Sequence, residues 1–269
     1  MSFAFELEQA RFAAEKAASY ILQEYSSFVP IPDAPASIST HVDHASQEIL
    51  LQHLQAVFPE DGICAEEATP TAVASPRDRK RTWVVDPIDG TRGFARKNGE
   101  FSIMVGLTVA GQAVVGVVLE PVISRWTFAQ RGGGCWVQYG SSSPQPCRVS
   151  RQADVSAAVL VQSRSKPGQP PKAVVQAIQP GRVVETYSAG IKLALVARGE
   201  VDCYVNDYRG FHDWDICAGQ VLVEEAGGRV SEFNGTPIRY GQGERMLRRG
   251  MLASNGLIHE ELIRRLASL

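Results

Sequence analysis

Apolar residues at Phe5, Phe12, Ala13, Ala17, Tyr20 and Ile21 recur at three- and four-residue intervals, which predicts an amphipathic helix over 5–21. Three prolines in FVPIPDAPAS, 28–37, mark a loop. A second helix is predicted over 44–57, with Ile49, Leu50, His53, Leu54 and Val57 on one face and Asp43 as a candidate N-cap. ICAEEATPT then reads as a short strand running into two glutamates, and 74–82 as a polar connector. From Trp83 the period falls to two. FSIMVGLTVAGQAVVGVVLEP reads as two strands joined near Ala110-Gly111, and SRWTFAQRGGGCWV as another pair around a glycine turn.

The second half alternates differently. Strands are expected at 157–163, 181–186, 201–205 and near 250–254. Helices are expected at 170–178, at 188–199 closed by Gly199, at 213–228 ended by Gly227-Gly228, and at 257–267. GSSSPQP, 140–146, is the candidate boundary. It divides a lobe at 1–146, with a helix pair and an antiparallel sheet, from an α/β lobe at 147–269. The expected class is α/β, built in layers of helix and sheet.

Composition adds exclusions. At 269 residues, 44% apolar and 21% charged, the chain reads as globular. A net charge of -2 supplies no basic field for a polymeric nucleic acid, though a nucleotide needs only a local positive site. The longest apolar run, AVVGVVL, is far below the ~20 residues of a membrane span. No basic stretch precedes an apolar core at the N-terminus, and the five cysteines show no CxxC spacing. A cytoplasmic protein with reduced, mostly buried thiols is expected, without membrane association.

The chemistry gathers at WVVDPIDGTRGF, 83–94. A strand is expected to stop at Val85, leaving Asp86 and Asp89 on a turn stiffened by Pro87 and opened by Gly90. Two carboxylates and the Ile88 carbonyl are hard oxygen donors suited to Mg2+. Free amides at Gly90 and Thr91 suit a phosphate. Read without the rest, the same stretch is a capped turn, Glu66-Glu67 a solvated pair, and Asp213 or Asp215 a helix cap. Three carboxylate-rich element ends on a modestly acidic chain argue for a cation that gathers them. The glycine run at 131–135 lacks the Lys-Ser/Thr of a P-loop and reads as a hairpin turn. His41, His44 and His53 carry the spacing of a candidate zinc site, but His53 falls on the apolar helix face and reads as packed. Cys217 reads as core.

DPIDGT at 86–91 followed by Phe94, AEE at 65–67 and WDICAGQVLVEEAGG at 214–228 resemble, in order and spacing, the inositol monophosphatase-like superfamily of Mg2+-dependent, lithium-sensitive phosphatases. The resemblance covers nearly the whole chain. It implies an αβαβα sandwich of the inositol monophosphatase/fructose bisphosphatase type that hydrolyses phosphomonoesters. By position, Glu67, Asp86 and the Ile88 carbonyl would hold one metal, and Asp86, Asp89 and Asp215 a second. A third, looser metal would again use Glu67, giving about two to three Mg2+ ions, with Li+ as inhibitor. Thr91 would help activate water and Asp43 would pair with Thr91, unless Asp43 only caps its helix. A homodimer is compatible with the resemblance.

Three features point within the superfamily. DGTRGF, SAGIK at 188–192 and VLVQSRSKP at 159–167 are similar to patterns of 3′(2′),5′-bisphosphate nucleotidases, with Lys166 where histidine is usual. Gly90, Thr91, Arg92, Ser188, Lys192 and Arg164 are the implied substrate contacts, Lys192 being otherwise an exposed helix lysine. The expected substrate is a small phosphorylated metabolite or nucleotide, first 3′-phosphoadenosine 5′-phosphate, then inositol-1-phosphate or histidinol phosphate. The chain departs from the family in having no lysine within 30–43, and in placing His212-Asp213 before Trp214-Asp215. A protein that only senses phosphate would be expected to lack Thr91, Asp43 or a metal ligand, and all are present.

Overall fold

In the computed structural model, described for residues 2–35, 37–76, 79–165, 172–208, 211–241, 250–267 and 269, two helices open the chain. Helix α1, Ala4–Ser27, buries Ala10, Ala13, Ala14, Ala17, Ala18 and Ile21. It runs one and a half turns past its apolar stripe, through helix-compatible residues, and stops before Pro30. Helix α2, His41–Val57, is capped by Thr40 rather than Asp43. Asp43 occupies the third helical position and reciprocates, its carboxylate accepting from the Thr40 amide at 2.9 Å.

Seven strands form the first sheet in chain order: β1 (Gly62–Ala65), β2 (Arg81–Asp89), β3 (Ser102–Val109), β4 (Gln112–Glu120), β5 (Arg125–Gln130), β6 (Cys135–Tyr139) and β7 (Gln145–Pro146). β1 and β2 are parallel and the remaining neighbours antiparallel. β2 does not stop at Val85. It continues through Pro87 to Asp89, with the register slipping because Asp86 pairs with Met104 and Asp89 with Ser102. Three steps on β2 face two on β3, so the strand bulges there. A bulge tolerates the missing proline amide and re-aims the flanking side chains.

The second sheet holds β8 (Val159–Gln162), β9 (Arg182–Glu185), β10 (Cys203–Asn206), β11 (Arg229–Glu232) and β12 (Met251–Ser254), in the order β11-β12-β10-β8-β9. β11 escaped the sequence pattern because it is four residues long and follows a helix directly. The remaining helices are α3 (Pro70–Ala74), α4 (Thr91–Ala95), α5 (Ala173–Ile178), α6 (Ala189–Ala197), α7 (Asp213–Glu225) and α8 (His259–Leu266). Lys166, the start of the helix expected at 170–178, and the basic run at 245–249 lie outside the described residues.

Strand alternation sorts side chains into three cores. Trp83 and Val85 join Leu50, Leu51 and Leu54 beneath α1 and α2. Val84, Met104 and Val118 face the other way, onto Leu193, Cys217 and Val221 of α6 and α7, with Tyr204 and Ala253 of the second sheet beyond. Leu160, Cys203 and Leu252 point out to Ile178 and Leu262 on α5 and α8. The layers therefore run α-β-α-β-α. The middle helix layer approaches the first sheet closely: a Cβ on Gly116 would sit 2.1 Å from the Ala218 carbonyl. The first sheet ends at Pro146, yet α6 and α7 from the second half cover it, so both halves share one core. His53 is half-buried, its ring nitrogen 2.9 Å from the Gln9 amide oxygen, and all five thiols are free. Among the described residues no helix is long and apolar enough to cross a membrane.

Candidate active site

The bulge of β2, the turn into α4 and the N-termini of α6 and α7 open on one cavity of about 880 Å3. Its inner end is acidic. One carboxylate oxygen each from Asp86, Asp89 and Asp215 lies within 4.8 Å of the others. No Lys, Arg or His forms a salt bridge with any of the three among the described residues. Burial first, then the neighbouring charges of Glu66, Asp89 and Asp215, holds the Asp86 carboxyl well above the usual range. Burial also pushes Asp215 up to about 8, with Asp89 adding to it and the amide of His212 opposing it.

The fourth carboxylate of this end is Glu66, not Glu67. Cys64 pairs with Val84 and Ala65 with Val85, so the next residue, Glu66, falls beside Asp86 in the parallel register, and its amide donates to the Val85 carbonyl at 3.2 Å. Glu66 lines the cavity, and although it is exposed along the wall, burial and then Asp215 push its carboxyl up to about 8. Glu67 does not line the cavity. It accepts from Ser39 Oγ at 2.6 Å and meets His44 Nε2 at 3.2 Å, while Gln47 holds its backbone. A pair of adjacent glutamates cannot share one face at a strand end, and only the register tells which one faces in.

Thr91 Oγ1 lies 3.1 Å from Asp43 Oδ1 and 3.0 Å from the Ile88 carbonyl. Asp43 is fully buried, and that burial raises its carboxyl above the ordinary value. Its cap role and its contact with Thr91 coexist because each uses a different oxygen. Gly90 connects these groups at φ +87°, and a Cβ there would stand 2.8 Å from the Glu100 carbonyl. The turn therefore requires glycine.

Asp89 has two roles. Its oxygens accept from the Gly190 amide at 2.6 Å, the Ala189 amide at 3.1 Å, Ser102 Oγ at 3.3 Å and Ser188 Oγ. The carboxylate thus sits on the N-terminus of α6, where the helix dipole favours negative charge. Ser188 is fully buried behind it and accepts from the Ile191 amide at 2.9 Å, so it is the cap of α6 and does not line the cavity. At α7, Asp215 accepts from the His212 amide at 2.6 Å, while Asp213 accepts from the Gly241 amide at 3.4 Å and lies outside the acidic end. The His212 ring stacks on Trp214 at 4.4 Å.

The same cavity is lined by four cations, Arg92, Arg164, Lys172 and Lys192, and by one further carboxylate, Asp207, near Lys172. Lys192 is not an exposed helix lysine. It is fully buried, donates to the carbonyls of Tyr187 at 2.8 Å and Thr186 at 3.2 Å, and is pushed down to about 8 by burial, against the pull of Asp89. Lys172 donates to the Ser163 carbonyl at 2.7 Å, and Arg164 pairs with Glu100. Lys172 and Tyr187 carried no mark in the sequence: each is a single residue outside any motif, brought in by the start of α5 and the end of β9.

The acidic end has the chemistry of a hard-cation site, oxygen donors only, with mutual repulsion that a divalent cation would relieve. Comparisons with known proteins agree. The model of the inositol monophosphatase family matches residues 6–269. The chain is 31% identical over 234 residues to the Nus factor SuhB of Pasteurella multocida, covering 83% of each chain. It is 28% identical over 254 residues to the 3′(2′),5′-bisphosphate nucleotidase CysQ of Escherichia coli, covering 92% of this chain and 99% of the relative. Its fold superposes on the inositol monophosphatase of Anabaena (Nostoc) with a TM-score of 0.80 at 27% identity, over 100% of this chain and 98% of the other. With an acid cluster gathered from a bulged strand and the start of α7, a half-buried Thr91 bonded to the buried Asp43 beside it and a family match that spans nearly its whole length, the chain belongs to the inositol monophosphatase family of metal-dependent phosphomonoesterases.

Proposed function

We propose that the chain is a Mg2+-dependent, lithium-inhibited phosphatase whose preferred substrate is 3′-phosphoadenosine 5′-phosphate, from which it releases the 3′-phosphate. The observation that carries this reading is the divided lining of the cavity, where the carboxylates of Glu66, Asp86, Asp89 and Asp215 share one space with the cations of Arg92, Arg164, Lys172 and Lys192, Asp207 lying near Lys172. A substrate with a scissile phosphate and a second anion fits that division better than a neutral polyol ester. The similarity to CysQ supports it.

Glu66, Asp86, Asp215, the Ile88 carbonyl and the share of Asp89 left by α6 would hold the ions. Glu67 has no part in this assignment. Bound there, Mg2+ supplies a water of lowered pKa and neutralises charge on the phosphoryl oxygens. The chain supplies orientation. Thr91, donating to Asp43, keeps a lone pair for a proton of the attacking water, and Asp43 is a buried acceptor next in line. Gly90 and Thr91 amides receive the scissile phosphate. Arg92, Arg164 and Lys192 attract the far end of the substrate.

The test is phosphate release with Mg2+, with and without Li+, from 3′-phosphoadenosine 5′-phosphate, inositol-1-phosphate and histidinol phosphate side by side. A clear preference for the nucleotide, suppressed by Li+, is the expected result. A preference for either other ester keeps the metal chemistry and overturns the substrate. No release from any of them, or full activity in Asp86→Asn, overturns the mechanism.

A further inference from the structure

Three guanidiniums and one ammonium gather around one residue that lines the cavity, Tyr187. The guanidiniums of Arg92, Arg96 and Arg164 lie 5.3, 5.7 and 5.7 Å from the ring centroid of Tyr187. Arg96 also donates to the Tyr187 hydroxyl at 2.8 Å, and Lys192 donates to the Tyr187 carbonyl at 2.8 Å. Of these four cations, only Arg164 has a carboxylate partner among the described residues, Glu100. The Nε atoms of Arg92 and Arg96 are buried without a hydrogen-bond partner.

Such a cluster is unfavourable by itself. Like charges repel, and buried donors without acceptors cost free energy. The face of an aromatic ring offsets part of that cost by attracting cations. An anion would offset the rest, and a guanidinium fork suits phosphate oxygens. Arg92, Arg164, Tyr187 and Lys192 line the cavity, while Arg96 does not and braces the tyrosine from behind.

We propose that Tyr187 is the positioning residue of a second anion site in the cavity, formed with Arg92, Arg164 and Lys192, which receives the phosphate that is not hydrolysed. The inference rests on the phosphatase reading above and adds to it a residue outside every motif. Tyr187 touches the cations rather than the reacting atoms. Its ring keeps the guanidiniums facing one point, and its hydroxyl fixes Arg96.

The experiment is calorimetric binding of adenosine 5′-phosphate and of adenosine, in chelator, to the wild type, Tyr187→Phe and Tyr187→Leu. The wild type should bind the phosphate at least about 10-fold more tightly than adenosine, as a charge-assisted contact implies. Tyr187→Leu should lose about 10-fold on the phosphate and nothing on adenosine. Tyr187→Phe, which keeps the ring, should fall between. In turnover, Tyr187→Leu should raise KM for 3′-phosphoadenosine 5′-phosphate about 10-fold and leave kcat, and KM for 3′-adenosine monophosphate, unchanged. Equal binding of phosphate and nucleoside by the wild type, or an unchanged Tyr187→Leu, overturns the anion site whatever ester the enzyme hydrolyses. Intact, Tyr187-dependent binding without hydrolysis of any ester overturns the phosphatase reading instead.

Discussion

Removing the metal should make stability fall as pH rises, against the usual acid-denaturation trend. The carboxyl of Asp215 moves from 3.8 to about 8 in the folded chain, and those of Asp86 and Glu66 move in the same direction. Between those values the folded protein holds protons that the unfolded chain has released. The stabilising difference is therefore complete below about pH 4 and is lost as pH rises through 8. For a dry, isolated carboxyl a rise of that size corresponds to about 5–6 kcal/mol. Asp215 is partly exposed, the cavity admits water, and the cluster titrates as a unit, so about 2–3 kcal/mol is expected between pH 5 and 8. For a chain of this size that is a fall in Tm of about 5–10 °C. The assay is thermal unfolding in chelator across that range, read as the difference between the wild type and Asp215→Asn so that titrations outside the cluster cancel. Saturating Mg2+ should flatten the wild-type slope. A difference that is flat or rises with pH refutes the picture of a repulsive, proton-sharing cluster.

Two further outcomes test the local geometry. Glu66→Gln should lower kcat/KM by about 100-fold and raise the Mg2+ requirement, while Glu67→Gln stays within about 3-fold, as expected if only Glu66 contacts the ions; the opposite result in steady-state kinetics would restore Glu67 as the ligand. Gly90→Ala should cost about 2–3 kcal/mol in urea unfolding, because its Cβ meets the Glu100 carbonyl at 2.8 Å and the backbone is left-handed, and an unchanged midpoint would mean that the turn can relax.

The alternation of helix and strand was legible from periodicity, because strand alternation and helix spacing survive without tertiary information, while the five-layer order rested on the family resemblance. The bulge was not. Pro87 and the two aspartates read as the end of a strand, and only the slip against β3 shows that β2 passes through them. The same loss of register information put Glu67 where Glu66 stands. Ser188 was misread for a different reason: a serine before a helix signals a cap first, and the family pattern outweighed that signal. Lys192 was placed correctly on its helix but not in depth, since one lysine on an apolar helix carries no sign of being buried. Tyr187 had nothing to announce it, as its importance comes from arginines on α4 and beyond β8 that meet only in the folded chain.

The seat of Asp89 on helix α6 has a consequence for how the halves of the molecule communicate. One carboxylate, carried by the first sheet, serves both as a counterweight to the helix that bears Lys192 and as a member of the acidic cluster. Its four accepted hydrogen bonds use most of the lone pairs a carboxylate has to offer. An ion that draws on Asp89 competes with, or tightens, the same seam that seats α6. Filling the acidic cluster and seating the helix of Lys192 then become one equilibrium, and whatever effect either has on the other, tightening or weakening, is returned by an equal amount.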